Sequence, residues 1–206
     1  MKMAIYMLVL LSSHFLCAQK IVKKSVVNTT ITSIQIDANN CFEVVMTTSG
    51  NDELIAEAVI DGEYQKDLEL NVKQEGSTMI VSAGFRPNFI NPNDKLSAHK
   101  VISIALKLTI PEFSRVHLFG TSSNVDVQGW YENLEIALND GKCVLNKVKE
   151  NVKITTQSGA IIVRSPAAKI NAVSKYGNVL KENIPENDHH FLLRSTTGDI
   201  TVKKTE

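Results

Sequence analysis

Short stretches of alternating apolar and polar residues recur at regular spacing towards the end of this chain. Each repeat has two apolar residues that are separated by one other residue, then a polar turn that ends in glycine. A second pair of positions with the same separation follows and is again mostly apolar. The turn glycines are Gly141, Gly159, Gly177 and Gly198, so the first three are 18 residues apart and the last follows after 21. Because alternation puts every second side chain on one face of a strand, the pattern predicts two short strands per repeat around a shared core.

The same register runs through five consecutive repeats. The inward positions before the turns are Val116 and Leu118, Leu134 and Ile136, Val152 and Ile154, Ile170 and Ala172, and Phe191 and Leu193. Those after the turns are Val125 and Val127, Cys143 and Leu145, Ile161 and Val163, Val179 and Lys181, and Ile200 and Val202. A constant period favours stacked coils of equal circumference over a meander of hairpins, whose spacing drifts. The prediction for residues 116–206 is a right-handed parallel β-solenoid-like region of five coils.

Two departures from the period are informative. Ser123 takes the glycine position of the first repeat, and the three extra residues of the last spacing fall in the polar stretch 182–190. We expect the turn glycines to be used for their access to positive φ, which other residues reach only at a steric cost.

Residues 19–115 also have the pattern of strands, but without a fixed period. Alternating or Val-rich runs at 31–36, 41–48, 53–60, 68–72, 79–81 and 101–110 are separated by short turns, which predicts an irregular, partly antiparallel β region. This region is expected to cap the first coil and to form one continuous domain with residues 116–206. The long loop 82–100 contains Phe85, Arg86, Phe89 and Ile90, and is either a contact loop or a disordered insertion.

The first 18 residues have the features of a secretory signal peptide. Lys2 precedes the apolar run 4–11, and cleavage after Ala18 would leave Gln19 first. Lipidation at Cys17 is an alternative. Because the run is too short to cross a bilayer as a helix, we expect no transmembrane segment in the mature chain, and a periplasmic, outer-membrane-associated or secreted location.

Charge and cysteine content exclude some functions and leave one question open. The chain has 22 basic and 22 acidic residues, so there is no basic excess for nucleic acid. Of the three cysteines, Cys41 and Cys143 remain after cleavage. In an exported protein they could form a disulfide between the two halves, or Cys143 could be a small core residue.

An outward column of side chains is unexpectedly apolar. The positions three residues after each glycine are Val144, Ile162 and Leu180, which sequential coils would stack into a continuous apolar stripe, with Thr201 beyond it. Such a stripe is covered either by another part of the chain or by a subunit or partner.

Residues with catalytic or metal-binding chemistry are sparse. The sequence contains no nucleophile elbow, phosphate-binding loop or clustered cysteine motif, and we predict no catalytic residues, metal or cofactor. His189 and His190 are interpreted as solvated loop residues, and Asp140, Asn178 and Asp199 as turn formers rather than calcium ligands. Trp130 and Tyr131 could bind a sugar or a partner, or could pack against the next coil.

The leader, the irregular first half and the repeats together resemble the putative-adhesin β-strand-repeat proteins, including the head-GIN-domain group, of Bacteroidota-type bacteria. The resemblance covers most of residues 28–204 and is carried by three segments. They are 106–111 (LKLTIP) leading into 116–120 (VHLFG), 155–159 (TTQSG) and 195–200 (STTGDI). It implies an all-β, solenoid-like fold and a cell-envelope location, without catalytic residues. Lys181 in an inward column and Ser123 in a glycine position depart from the repeat pattern.

The sequence therefore predicts an exported, non-enzymatic envelope protein that acts as an adhesin or interaction scaffold for an unknown protein or glycan. A carbohydrate-binding or carbohydrate-active solenoid is one alternative. The other is a structural component that self-assembles into a homo-oligomer through its coil ends. Lys203 and Lys204, just beyond the last predicted strand, would oppose such end-to-end pairing.

Overall fold

Strands and turns make up the protein in a computed structural model that describes residues 19–27, 31–90 and 102–206. The predicted signal peptide, Cys17 and the far part of the 82–100 loop lie outside the described residues. The fifteen strands are β1 Lys20–Val27, β2 Ser33–Asp37, β3 Glu43–Ser49, β4 Glu53–Gly62, β5 Leu68–Glu75, β6 Thr78–Phe85, β7 Ile102–Pro111, β8 Ser114–Ser122, β9 Asn124–Asp140, β10 Lys142–Thr156, β11 Ala160–Ser165, β12 Lys169–Ser174, β13 Val179–Lys181, β14 His190–Ser195 and β15 Ile200–Lys204.

The strands hydrogen-bond into two ladders that share the long strands β9 and β10. One ladder has the order β1-β4-β7-β3-β9-β10-β11-β15-β13, and the other β5-β6-β2-β8-β9-β10-β14-β12. The pairs β1–β4, β4–β7 and β5–β6 are antiparallel, whereas all other pairs are parallel. The protein is therefore all-β with a mixed sheet, and the irregular first half is partly antiparallel as predicted.

The parallel strands form seven rungs, each with one strand in either ladder. In spatial order the rungs are β6 with β7, β2 with β3, β8 with residues 124–128, 133–140 with 142–146, 149–156 with β11, β14 with β15, and β12 with β13. The predicted parallel pairing within 116–202 is thus observed. The first half contributes two further rungs in the same register, because Ile34 lies between Val116 and Met79, and Val44 lies between Val125 and Leu106.

The order of the last two rungs corrects the expectation of five consecutive coils. The final strands of the chain, β14 and β15, lie between the rung of β10 and β11 and the rung of β12 and β13. The connection 166–168 therefore crosses two strand spacings, a distance of about 10 Å. Three extended residues are long enough to span this distance. The longer segment 182–189 brings the chain back, which accounts for the spacing of 21 between the last two glycines.

The core consists of the inward columns that the alternation predicts. Ile136, Ile154 and Leu193 are fully buried neighbours in one ladder, and Leu145 and Val163 in the other. Because these positions stack in register through every inner rung, their side chains form one continuous apolar interior.

Candidate functional site

The turn glycines form a ladder along one edge of the stack. A Cβ atom on Gly159 would lie 2.8 Å from the carbonyl oxygen of Gly141, one on Gly198 would lie 2.2 Å from that of Gly159, and one on Gly177 would lie 2.6 Å from that of Gly198. Of the four, only Gly141 has a positive φ, of 95°. The expectation that all four serve as positive-φ residues is therefore wrong. What they share is the close approach of the neighbouring turn's backbone.

Ser123 lies at the start of this row of turns, and its side chain packs against the loop between β2 and β3 instead of against another turn of the repeat. Its side chain is fully buried, and its hydroxyl lies 2.9 Å from the carbonyl oxygen of Ala38 and 2.7 Å from that of Cys41. The loop between β2 and β3 therefore supplies acceptors where the later rungs supply a closely packed turn. A serine fits here because the site has room for the hydroxyl and a partner for its proton.

The predicted apolar stripe is interrupted. Val144 lies beside Ile162, but Ile162 lies beside Thr201, and Leu180 follows Thr201 on the far side. The expectation of a continuous stripe is wrong because it assumed that rungs stack in sequence order. Val144 is buried, whereas Leu180 is 66% exposed, so the three residues do not share one surface.

The rung of β12 and β13, with the turn between them, is called the terminal rung (residues 169–181). Among the described residues, β12 pairs only with β14 and β13 only with β15, so one side of each strand is unpaired. Val179 occupies an inward column but is 39% exposed, because no further rung covers it. The side chains of Val173, Tyr176 and Leu180 are also exposed.

Lys181 departs from the apolar inward column because of this position. Its Cα pairs with that of Val202, and its ammonium group donates to the carbonyl oxygen of Ile170, 2.9 Å away. The charge is thus accommodated at the open end of the core. Lys203 and Lys204 do not protect an edge as predicted, because β15 is paired on both sides.

The described part of the predicted contact loop folds back on itself. The rings of Phe85 and Phe89 stack with centroids 4.1 Å apart, and Tyr64 packs edge-on against both. Arg86 is 3.8 Å from a carboxylate oxygen of Glu69, and Ile90 is largely exposed. A role for this loop in contacts stays a prediction.

The two cysteines of the described chain are free and buried. Burial raises the pKa of each thiol to about 12, with a smaller contribution from Asp37 at Cys41 and from Asp126 at Cys143. The disulfide that the sequence left open as one alternative is not formed in this structure. Cys143 lies in an inward column beside Val125 and Ile161, in keeping with the alternative that it is a small core residue.

Three consecutive rungs meet at an aromatic corner, defined by Phe113, Trp130 and Lys149. The rings of Phe113 and Trp130 are 5.4 Å apart at an angle of 67°, and the Lys149 ammonium group lies 3.9 Å from the centroid of the Trp130 ring. Trp130 is 38% exposed, whereas Tyr131 is fully buried, and burial raises the pKa of its phenol. The two residues that the sequence grouped together thus face opposite environments.

Adjacent polar residues line a cavity of about 370 Å³ beside this corner. Its lining is Thr47, Thr48, Glu112, Gln128, Gly129, Trp130, Lys147 and Lys149. Phe113 and Lys149 were not candidates on the sequence alone, although both lie about one repeat from Trp130. That spacing could have indicated that the three side chains meet.

Ionisable groups on the outer surface form pairs rather than a reactive cluster. Lys153 donates to Glu135 over 2.6 Å, and this hydrogen bond is the main cause of the lowered pKa of Glu135. No group of three or more His, Cys, Asp or Glu residues suited to a metal ion occurs within the described ranges. The His189 ring is 3.8 Å from Glu150, and its Nδ1 accepts the backbone N–H of that residue. No helix long and apolar enough to cross a bilayer exists in the part of the chain that the structure describes.

Solved structures provide the comparison, since no protein-family model and no curated protein matches the sequence. A putative cell adhesion protein from Clostridium sporogenes is similar with a TM-score of 0.60 and 16% sequence identity, over 91% of this chain and 100% of that chain. A putative adhesin from Bacteroides fragilis is similar with a TM-score of 0.38 and 14% sequence identity, over 92% of this chain and 99% of that chain. A putative lipid binding protein from Parabacteroides distasonis is similar with a TM-score of 0.41 and 11% sequence identity, over 91% of this chain and 97% of that chain. The likeness to the Clostridium protein confirms, at the level of the fold, the resemblance to putative adhesins that the repeats indicated.

Proposed function

We propose that the protein is an exported, non-enzymatic adhesin-like scaffold, in which residues 19–206 form one domain with a right-handed β-solenoid region. In this proposal its function is to bind an extended segment of a partner protein along the terminal rung. The leader-like residues 1–18 support export, and the similarity in fold to a putative cell adhesion protein supports an adhesin-like role.

The observation that carries the proposal is the exposed β13 side of the terminal rung, where Val179 is 39% exposed although Ile170 on β12 is buried. Unpaired strand edges with exposed apolar side chains are sites where another chain can add a strand. The terminal rung combines both features, because its outer backbone groups lack strand partners within the described residues and Val179 and Leu180 remain exposed. A partner strand would bury these side chains and satisfy the backbone groups.

Charge identifies the kind of partner. Residues 169–181 include Lys169, Lys175 and Lys181 but no acidic residue. The strand at the other end of the stack, β1, is also rich in lysine, with Lys20, Lys23 and Lys24. Like charges therefore oppose pairing of the terminal rung with β1 or with the terminal rung of a second copy, and an extended segment with alternating acidic and apolar residues is the better complement.

The non-enzymatic part of the proposal rests on the outer columns. A glycoside hydrolase requires two suitably spaced carboxylates, one of them with a raised pKa. In the central outward column Glu135 lies between His117 and Lys153, and its pKa is lowered instead. The paired Glu135 is therefore suited to a structural role.

Binding of a labelled peptide to the full mature chain tests this function. The probe is a heptapeptide of alternating Glu and Val, compared with a Lys/Val peptide by fluorescence anisotropy, with sedimentation velocity run in parallel. We expect the acidic peptide to bind and Leu180→Asp to weaken binding about tenfold or more. Ile21→Asp is the matched control, because Ile21 is 64% exposed at the opposite end and should not contribute.

Two outcomes would overturn the proposal. One is equal binding of the acidic and basic peptides, or binding that Leu180→Asp leaves unchanged. The other is concentration-dependent self-association that Leu180→Asp abolishes, since this would identify a second copy of the chain as the occupant of the terminal rung.

A further inference from the structure

The aromatic corner has a composition suited to a small polar ligand with an apolar face. Trp130 is 38% exposed and lines the cavity, and the Phe113 ring, which is 53% exposed, packs against it beside the cavity at an angle of 67°. From this geometry we propose that the corner binds a sugar ring that carries a carboxylate, as in a uronic acid. This site is separate from the terminal rung and does not depend on the function proposed for that rung.

The aromatic walls account for recognition of the ring itself. The face of an aromatic ring carries partial negative charge, so it attracts the positively polarised C–H groups on the flat side of a pyranose. Lys149 already covers part of one Trp130 face, which leaves the exposed Phe113 ring and the remaining Trp130 surface as the platform.

Two lysines account for recognition of the carboxylate. Lys147 and Lys149 both line the cavity, and neither forms an ion pair with a carboxylate of the described chain. An ammonium group that is free of a protein anion can form a charge-assisted hydrogen bond with a ligand. Glu112 also lines the cavity, so the sugar carboxylate would lie on the lysine side and a hydroxyl group would face Glu112.

Neutral polar groups are available for the remaining hydroxyls. Gln128 and Thr47 line the same cavity, and Thr48 accepts the backbone N–H of Trp130 while its own hydroxyl proton can still be donated. A cavity of about 370 Å³ lies within the range of small-molecule sites.

Backbone strain is concentrated at the same corner. Among the described residues, the non-glycine residues with positive φ are Phe113 (60°), Lys147 (50°) and Glu150 (73°). Glycine would adopt these angles at a lower cost, and strain of this kind is retained mainly where a side chain is needed for function. Of the three strained residues, Lys147 lines the cavity and Phe113 packs against Trp130 beside it.

The protein supplies its own reporter, because Trp130 is its single tryptophan. The experiment is a fluorescence titration of the mature chain with trigalacturonate, compared with the fully methyl-esterified trimer, which keeps the rings but lacks the charges. We expect the acid to change Trp130 emission and to bind about tenfold or more tightly than the ester, with an affinity that falls as salt is added.

Variants separate the two parts of the site. Phe113→Ala keeps a Cβ at the strained position and should weaken binding of acid and ester alike, whereas a Lys147→Gln/Lys149→Gln double variant should remove the preference for the acid. Lys153→Gln is the control, since Lys153 is paired with Glu135 outside the cavity and its loss should leave the titration unchanged. Thermal melts establish that each variant is folded.

An unchanged emission spectrum throughout a titration to millimolar trigalacturonate would overturn the inference. Equal affinity for acid and ester would also overturn it, because the lysines would then have no role. Leu180→Asp should have no effect in this assay, so a failure here and a failure of the terminal rung to bind peptide are distinguishable.

Discussion

The two ends of the stack are closed in different ways. At the N-terminal end, β4 and β5 run antiparallel to the strands they cover, and β1 adds eight further residues along β4. Lys20 donates to the carbonyl oxygens of Gln65 and Leu68, which ties the outermost strand to the loop before β5. At the C-terminal end, the terminal rung is parallel to its neighbour, and β13 has only three residues.

This difference decides how well the core is covered. The inward residues Leu54, Leu68 and Leu70 beneath the N-terminal end are almost fully buried, whereas the inward residues Val179 and Lys181 of the terminal rung are exposed. An antiparallel strand seals a stack because it pairs along its whole length and brings its own apolar face. A short final rung seals only the rung beneath it, so the open end is where binding can still gain free energy.

Removal of whole rungs tests this comparison most severely. Deletion of 190–206 removes an inner rung whose buried side chains are Phe191, Leu193, Ile200 and Val202. At about 1.5–3 kcal/mol for each side chain, the loss approaches the total stability of a domain, so cooperative unfolding should disappear. Excision of 169–189 removes the terminal rung instead and should leave a cooperatively unfolding protein in urea. If the variant that lacks 190–206 folds and the variant that lacks 169–189 does not, the observed order of rungs would be contradicted.

Alanine substitution in the glycine ladder compares an inner with a terminal turn. Gly198→Ala places a Cβ against the backbone of Gly159, which is held by rungs on both sides, and should cost about 3 kcal/mol. Gly177→Ala meets the backbone of Gly198, but the terminal rung can shift outward, so about 1 kcal/mol is expected. Urea denaturation measures both, and Gly50→Ala, with no atom within 4 Å, is the control. Equal costs at Gly198 and Gly177 would mean that the terminal rung is held as firmly as the inner ones.

An acidic residue in the outer column distinguishes covered from open surface. Ile162 lies between Val144 and Thr201, so Ile162→Asp should destabilise the protein by about 1–2 kcal/mol. Leu180→Asp should change stability by no more than about 0.5 kcal/mol, because Leu180 is exposed. Melting curves of the two variants give the comparison, and a large loss for Leu180→Asp would show that this residue is already covered.

The smallest effect is expected for an ion pair in the middle of the stack. The pKa of Glu135 is lowered in the folded protein, so its contribution is present above its ordinary value of 4.5 and is lost as the pH falls below that value. Since both side chains are partly exposed, Lys153→Ala should cost only about 0.5 kcal/mol at neutral pH. Lys175→Ala on the terminal rung is the control, and an NMR titration of Glu135 should show its pKa return upward in Lys153→Ala alone.

The repeat pattern of the sequence predicted some features of the structure correctly and others not. Alternation around each glycine identified the inward residues, and the equal spacing indicated parallel neighbours. The role of the glycines was misjudged at Gly159, Gly177 and Gly198, because a close backbone approach from another turn cannot be seen in a single repeat. Trp130 was found as a candidate, but its partners Phe113 and Lys149 come from other rungs.

The pattern of side chains by itself determined which positions point into the core, since inward and outward residues alternate in every strand whatever lies beside it. It could not determine which rung lies beside which. All the rungs present similar apolar columns, so the alternation alone does not show whether β12 and β13 or β14 and β15 lie next to β10 and β11. Only the tertiary structure, through the short connection 166–168 and the longer return 182–189, placed the last strands of the chain inside the stack and left the terminal rung open.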